Sequence, residues 1–165
     1  MQTTELKRAS LHDTDELAAM AKEIWQQHFT PIIGADQVRY MLDRFQSSTA
    51  MAHQMQHEDY QYYFLVYNGL RAGYCAIRPE PEALFLSKLY VKQPFRGRRI
   101  ARAAIDFMAG YCRREGKKKI WLTVNRHNDD TIAAYRKMGF VTVREQAADI
   151  GGGYVMDDYI MEKPL

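Results

Sequence analysis

The turn Arg96-Gly97-Arg98-Arg99-Ile100-Ala101 stands between a strand-like run, residues 84–91, and a helix-like segment. A basic, glycine-containing turn that opens a helix can hold a pyrophosphate. The first backbone N–H groups of a helix have no partner inside it, and the helix dipole favours negative charge there. Three arginines at a helix start oppose that dipole and call for a compensating anion. Further along, Asn128 opens a second helix-like segment and Tyr135 lies within it. A phenol with a pKa of about 10 keeps its proton at neutral pH and can donate it to a departing group. Spacing alone explains Tyr135 equally well as core, and capping is a sufficient account of Asn128. Asp157 and Asp158 sit on the closing strand-like run. They could attract a cationic amine, and strand alternation points only one of them to a given face.

The rest of the titratable inventory is plainer. Five histidines show no metal spacing tied to acids or cysteines. His53 and His57 are four apart on a helix-like segment, a spacing that can clamp a metal, but no further ligand joins them. No metal is expected. Cys75 and Cys112 are lone thiols without ligand spacing, as suits a reduced cytoplasm; Cys75, in an apolar run, reads as a small buried hydrophobe.

A chain of 165 residues is expected to form one domain, residues 1–165, with a real core. No apolar run approaches the ~20 residues that cross a bilayer, and the polar N-terminus shows no secretory signal, so the expected location is the cytoplasm, with no membrane partner. The net charge of +3 is uneven. Residues 88–119 hold eleven Lys/Arg against Asp106 and Glu115, a balance of +9, which leaves −6 elsewhere. A nucleic-acid patch can look like this, but aromatics do not interleave with the basic residues as a stacking surface requires. A ligand with several phosphates accounts for the charge better.

The elements that must position these residues follow from periodicity and breakers. Residues 4–9 read as a strand. Asp13 reads as an N-cap, followed by a helix with Leu17, Met20, Ala21, Ile24 and Trp25 on one stripe. Pro31 and Gly34 break it, and helices resume over 36–45 and 47–58. Residues 62–67 and 72–77 flank Asn68-Gly69, a strong hairpin signal. The strand over 84–91 precedes a helix over 98–115, with Ile100, Ala104, Phe107, Met108 and Tyr111 expected in the core. A strand over 120–124, a helix over 129–137 ending at Gly139, and strands over 141–146 and 154–161 complete the chain.

This layout resembles the GNAT superfamily of acetyl-CoA-dependent N-acetyltransferases. The family's phosphate signature, Gln/Arg-x-x-Gly-x-Gly/Ala, falls on Arg96, Arg99 and Ala101. Its first and last positions match, and Arg99 stands where glycine is usual. The downstream pattern, Asn-x-x-Ala-x-x-x-Tyr ending in Gly-Phe, falls on Asn128, Tyr135, Gly139 and Phe140, with Thr131 in place of alanine. The wording around Ile120-Trp121-Leu122, residues 135–140, residues 37–42 and Met156-Asp157-Asp158-Tyr159 is similar to the bacterial spermidine/spermine N-acetyltransferase-like branch.

The resemblance implies an α+β domain of the GNAT fold: a mixed, mainly antiparallel sheet of about seven strands flanked by helices. It implies acetyl transfer from acetyl-CoA to a primary amine by direct attack in a ternary complex, with no metal. Arg96, Gly97, Arg98, Arg99, Ile100 and Ala101 would cradle the phosphates. Main-chain groups of Leu89 and Val91 would pair with the pantetheine as a strand would, and an amide there can hold the oxyanion. Asn128 would touch the cofactor arm, and Tyr135 would protonate the CoA thiolate. The usual base position on the fourth strand carries Ser87 and Lys88, with Lys88 expected to face solvent. The base therefore stays open between Glu82, Asp157, Asp158 and water. Trp25, His28, Tyr40, Asp157 and Asp158 are the candidate acceptor contacts. The acceptor is a small-molecule amine, with a polyamine-like cation in front. The alternatives are a non-catalytic acyl-CoA sensor, a protein N-terminal or lysine acetyltransferase and, more remotely, a nucleic-acid-binding domain. Oligomeric state is open, with a homodimer among the options.

Overall fold

The computed structural model describes residues 3–165. In chain order the elements are β1 (Thr4–Arg8), α1 (Thr14–His28), α2 (Thr30–Ile33), α3 (Ala35–Phe45), α4 (Ser48–His57), β2 (Gln61–Tyr67), β3 (Leu70–Pro79), β4 (Ala83–Val91), α5 (Ile100–Glu115), β5 (Lys119–Asn125), α6 (Asp129–Lys137), β6 (Val141–Gly151) and β7 (Tyr154–Pro164). The seven strands form one sheet in the order β1-β2-β3-β4-β5-β7-β6. The β4–β5 pair is parallel and all the other neighbours are antiparallel.

Strand alternation divides the core between the two faces. On one face Leu65, Cys75, Leu84, Leu86, Ile120 and Leu122 pack with α5 and α6. On the other, Tyr62, Phe64, Val66, Tyr74 and Ala76 pack with α1, α3 and α4. The hairpin at Asn68-Gly69 has both turn residues at positive φ, 50° and 79°, as a tight two-residue turn between twisted strands requires.

Three boundaries differ from expectation. The first helical turn is capped by Ser10, whose hydroxyl accepts from the His12 N–H while Asp13 Oδ2 accepts from the Ser10 N–H, so Asp13 closes a capping box and does not cap α1 with its side chain. The α5 helix begins two residues later than its pattern suggests, because Gly97 and Arg99 take φ of 78° and 59°. Within α5, Ile105, Ala109 and Cys112 are buried, while Phe107 is exposed against Tyr63. The β6–β7 hairpin is longer than expected, and most of β6 is exposed.

Candidate active site

Two interruptions of regular pairing open the site. The parallel ladder between β4 and β5 holds only from Ala83 to Phe85 against Lys119 to Trp121. Beyond it β5 stays with β7, as far as Asn125 opposite Asp158, and β4 stays with β3. The two central strands therefore splay. The second interruption is a bulge. Ile77 faces Leu86 and Ala76 faces Lys88, so Ser87 is an extra residue in β4. A bulge bends its strand. It also resets the alternation by one residue: Leu84 and Leu86 lie on the α5 face, and so do Leu89 and Val91 beyond the bulge. Lys88 and Tyr90 turn to the opposite face, under the α1–α4 layer.

The splay opens into a cleft of about 770 Å³ that crosses the sheet. Leu89, Val91, Arg96, Ala101, Asn128 and Tyr135 are among the lining residues. Trp25, His28, Phe29, Met41, Tyr90 and Asp158 line it as well, and the two groups meet where His28 bonds Asn128. Between Arg96 and Ala101, the turn into α5 carries the two left-handed residues just described. Arg99 is the N-cap of α5 in a conformation that glycine takes freely and other residues adopt at about 1–2 kcal/mol. Its side chain is exposed. No side chain caps α5, so its first N–H groups remain open to an anion. The Arg96 guanidinium donates from Nε to the Val91 carbonyl at 3.1 Å, which folds the turn back along β4. Arg98 lies over the Tyr67 ring at 5.7 Å.

Tyr135 is buried at the end of β4, edge-on to Phe140 at 5.3 Å. Burial, with the neighbouring Cys75, pushes its hydroxyl well above the ordinary phenol range, so it stays protonated. Tyr90 is also raised, mainly by burial, and it feels both Tyr135 and Asp158. Asn128 does not cap α6 with its side chain. Its Oδ1 accepts instead from His28 Nε2 at 2.9 Å, a bond that ties the end of α1 to the start of α6.

The lining contributed by α1 and Tyr90 is aromatic. Trp25 and Phe29 lie 4.3 Å apart, and the Tyr90 ring stands edge-on to both at 5.8 and 6.1 Å. Asp158 is 6% exposed. Burial and the adjacent Asp157 push its carboxyl up to about 6.

Two expected acceptor contacts lie elsewhere. Asp157 points away from the cleft and pairs with Arg126, Oδ1 to Nε at 2.9 Å, because alternation sends only Asp158 inward. Tyr40 lies outside the lining, since its hydroxyl donates to the Ile150 carbonyl at 2.6 Å and its ring fills the space that a Cβ on Gly152 would need. Beside it Gln37 Nε2 donates to the Val155 carbonyl at 3.3 Å, so α3 is fastened to the β6–β7 hairpin along one border of the cleft.

Lys88 does not face solvent. It is 6% exposed, and its ammonium donates to the Phe45 carbonyl at 3.1 Å, to Gln54 Oε1 at 2.9 Å and to the Tyr62 hydroxyl. Desolvation lowers its pKa to about 7. The bulge at Ser87 is what turns it away from the face of Leu84 and Leu86 to the α1–α4 side. A lysine in the middle of an apolar run was the available sequence signal for a special position. Glu82 lies at the paired end of β4 and meets Lys118 on the surface. Among the described residues, no group of three or more His, Cys, Asp or Glu is placed to hold a metal, and no helix is long and apolar enough to cross a membrane.

A family model described as the acetyltransferase (GNAT) family matches residues 17–140, three quarters of the chain and nearly all of the cleft. The chain belongs to this family. As a GNAT acetyltransferase it is an acyltransferase whose cosubstrate is acetyl-CoA, and its seven-stranded sheet is the GNAT fold. An uncharacterized N-acetyltransferase of Mycobacterium tuberculosis is 26% identical over 154 residues, covering 93% of this chain and 98% of the relative. The crystal structure of the PaiA N-acetyltransferase of Thermoplasma acidophilum in complex with coenzyme A superposes with a TM-score of 0.80 at 19% identity, covering 99% of both chains. A spermidine N-acetyltransferase chimera from Vibrio cholerae superposes at 0.72 with 14% identity, covering 98% of this chain and 95% of that one.

Proposed function

We propose that this GNAT acetyltransferase moves the acetyl group of acetyl-CoA onto the primary amine of a small cationic molecule, in a ternary complex and by direct attack. The observation that carries the reading is the splay of β4 from β5, with Tyr135 and Asp158 both in the lining of the opening. The pantetheine completes the free edge of β4 along Leu89 and Val91, as an added strand would. The pyrophosphate lies on the uncapped start of α5, among the amides of the turn from Arg96 to Ala101, with Arg98 and Arg99 supplying charge. The side chain of Asn128, held by His28, orients the cofactor arm where it enters the cleft. A main-chain N–H of β4 beyond the bulge holds the oxyanion of the tetrahedral intermediate. Tyr135, kept protonated by burial, gives its proton to the thiolate.

On the acceptor side a polyamine-like cation is the first candidate. The buried Asp158 carboxylate supports it, as does the likeness to a spermidine N-acetyltransferase chimera. The rings of Trp25, Phe29 and Tyr90 present an apolar wall for the methylene chain.

The test is thiol release from acetyl-CoA across a panel of polyamines, aryl-alkyl amines, amino acids and lysine- or N-terminus-presenting peptides. Turnover with spermidine or a related polyamine, and none with peptides, is the expected result. Release confined to peptides would overturn the small-molecule reading. Acetyl-CoA binding without release on any amine would favour a sensor.

A further inference from the structure

Asp158 is a carboxylate inside the cleft with no partner of its own. Its neighbour Asp157 lies outside, ion-paired with Arg126, and Arg126 also reaches Glu145. Among the described residues nothing donates a hydrogen bond to Asp158 or pairs with it. Its register opposite Asn125 places it at the last paired position of β5, where that strand has parted from β4. The titratable groups whose charge it feels or influences are Tyr90 from β4, itself under the influence of Tyr135, and Asp157, which turns to the other face of its own strand. Its cross-strand neighbours, Asn125 and Gln146, carry no charge. The end of α1 contributes His28 to the same lining, already engaged with Asn128. A carboxylate left without donors or a counter-charge in a buried place is costly unless a ligand supplies the missing cation.

The other acidic candidates do not meet this description. Glu82 pairs with Lys118 on the surface, and Glu58 and Asp130 are exposed on the rim.

We infer that Asp158 is the general base of the reaction, taking a proton from the acceptor's ammonium beside the thioester. The inference rests on the acetyl-transfer reading above. One N–H bond of the ammonium breaks and an O–H bond forms on Asp158. The freed lone pair makes the C–N bond at the thioester carbon, and collapse of the tetrahedral intermediate breaks the C–S bond. The thiolate takes the Tyr135 proton. The second proton shed by the nitrogen, as the amide forms, restores Tyr135. Asp158 returns its proton to water when the products leave. A carboxyl raised toward neutrality is better matched to this exchange than an ordinary aspartate, and the aromatic wall disfavours the charged form of the amine in the same way.

The experiment compares wild type with Asp158→Asn on two acceptors: an alkyl primary amine that the wild type acetylates, and 2,2,2-trifluoroethylamine, whose fluorines leave it uncharged at pH 7. With the alkyl amine, wild-type kcat/KM should climb through a limb near pH 6, and Asp158→Asn should lose that limb along with ~10²-fold or more of the rate. With trifluoroethylamine the two proteins should run within a few-fold of each other at pH 7, because no proton needs removal before attack. Equal losses on both amines would make Asp158 structural, and no loss on either would end the assignment. If Asp158→Asn fails to show an acetyl-CoA-dependent melting shift, the wild-type profile decides: the absence of a limb between pH 5 and pH 7 overturns the base. A wild type that acetylates no amine at all overturns both the base and the acetyl-transfer reading.

Discussion

Lys88 offers a quantitative check on the acceptor half of the cleft. Its ammonium is buried and its pKa falls from 10.5 to about 7. Between those values the unfolded chain binds more protons than the folded one, so stability rises with pH across that window. Below about pH 7 both states hold the proton and the burial penalty is constant. Integrated from pH 7 to pH 9, the linkage is worth about 2 kcal/mol. Lys88→Met removes the titration and keeps the bulk of the stem. It also leaves a satisfied network, because the Tyr62 hydroxyl still donates to Gln54 Oε1 at 2.5 Å and Gln54 Nε2 to the Phe45 carbonyl at 3.1 Å. Urea unfolding of both proteins at pH 7 and pH 9 cancels every other titrating group in the difference. Wild type should gain about 2 kcal/mol on the variant over that interval. A difference that stays flat, or a wild type that loses ground as pH rises, would refute the assignment of Lys88 as a desolvated amine.

Tyr135→Phe should bind acetyl-CoA as wild type does and lose ~10²-fold in turnover in the thiol-release assay; an undiminished rate would hand the acid role to water or to Tyr90. Gly73→Ala should destabilise the sheet, since a Cβ there would lie 2.1 Å from the Tyr90 carbonyl oxygen. Overpacking of this kind costs about 1–3 kcal/mol, and a thermal scan should show a drop of about 2–4 °C for each. Arg99→Gly should raise the melting temperature of the free protein by relieving a φ of 59°, and weaken acetyl-CoA binding at low salt by removing a cation. Calorimetry that finds tighter binding would mean that Arg99 points away from the phosphates.

That Arg96, Ala101, Asn128 and Tyr135 would stand on neighbouring elements was legible in the sequence, because the signals are local. A basic turn before a helix, an N-cap asparagine and a tyrosine one helical face away are fixed by spacing along one segment. Trp25, His28 and Asp158 were named and do line the cleft, but the contacts that join distant segments around it were not legible. His28 and Asn128 are 100 positions apart, and Tyr40 and Ile150 are 110 apart. No periodicity in one segment announces such a bond. The Asp157-Asp158 pair was visible, and so was the rule that only one of them turns inward. Which one does so depends on the register of β7 against β5. Lys88 was misplaced because a lone lysine in a strand reads as a solvent-facing residue, whereas helices cover both faces of β4 and the unmatched Ser87 decides only which of them Lys88 meets.

That unmatched residue sets the protein's stability against its use. Deleting Ser87 would bring Leu86 and Lys88 into consecutive positions opposite Ile77 and Ala76, and every side chain of β4 would keep its face. The ladder to β3 would be continuous, and the strand would lose the bend that follows from the bulge. A straighter β4 could run on beside β5 past Phe85, healing the sheet and closing the space where a cosubstrate lies. The shortened chain would then be a sounder β-sheet protein and a poorer enzyme, a trade that selection for folding alone would accept and selection for acetylation would not.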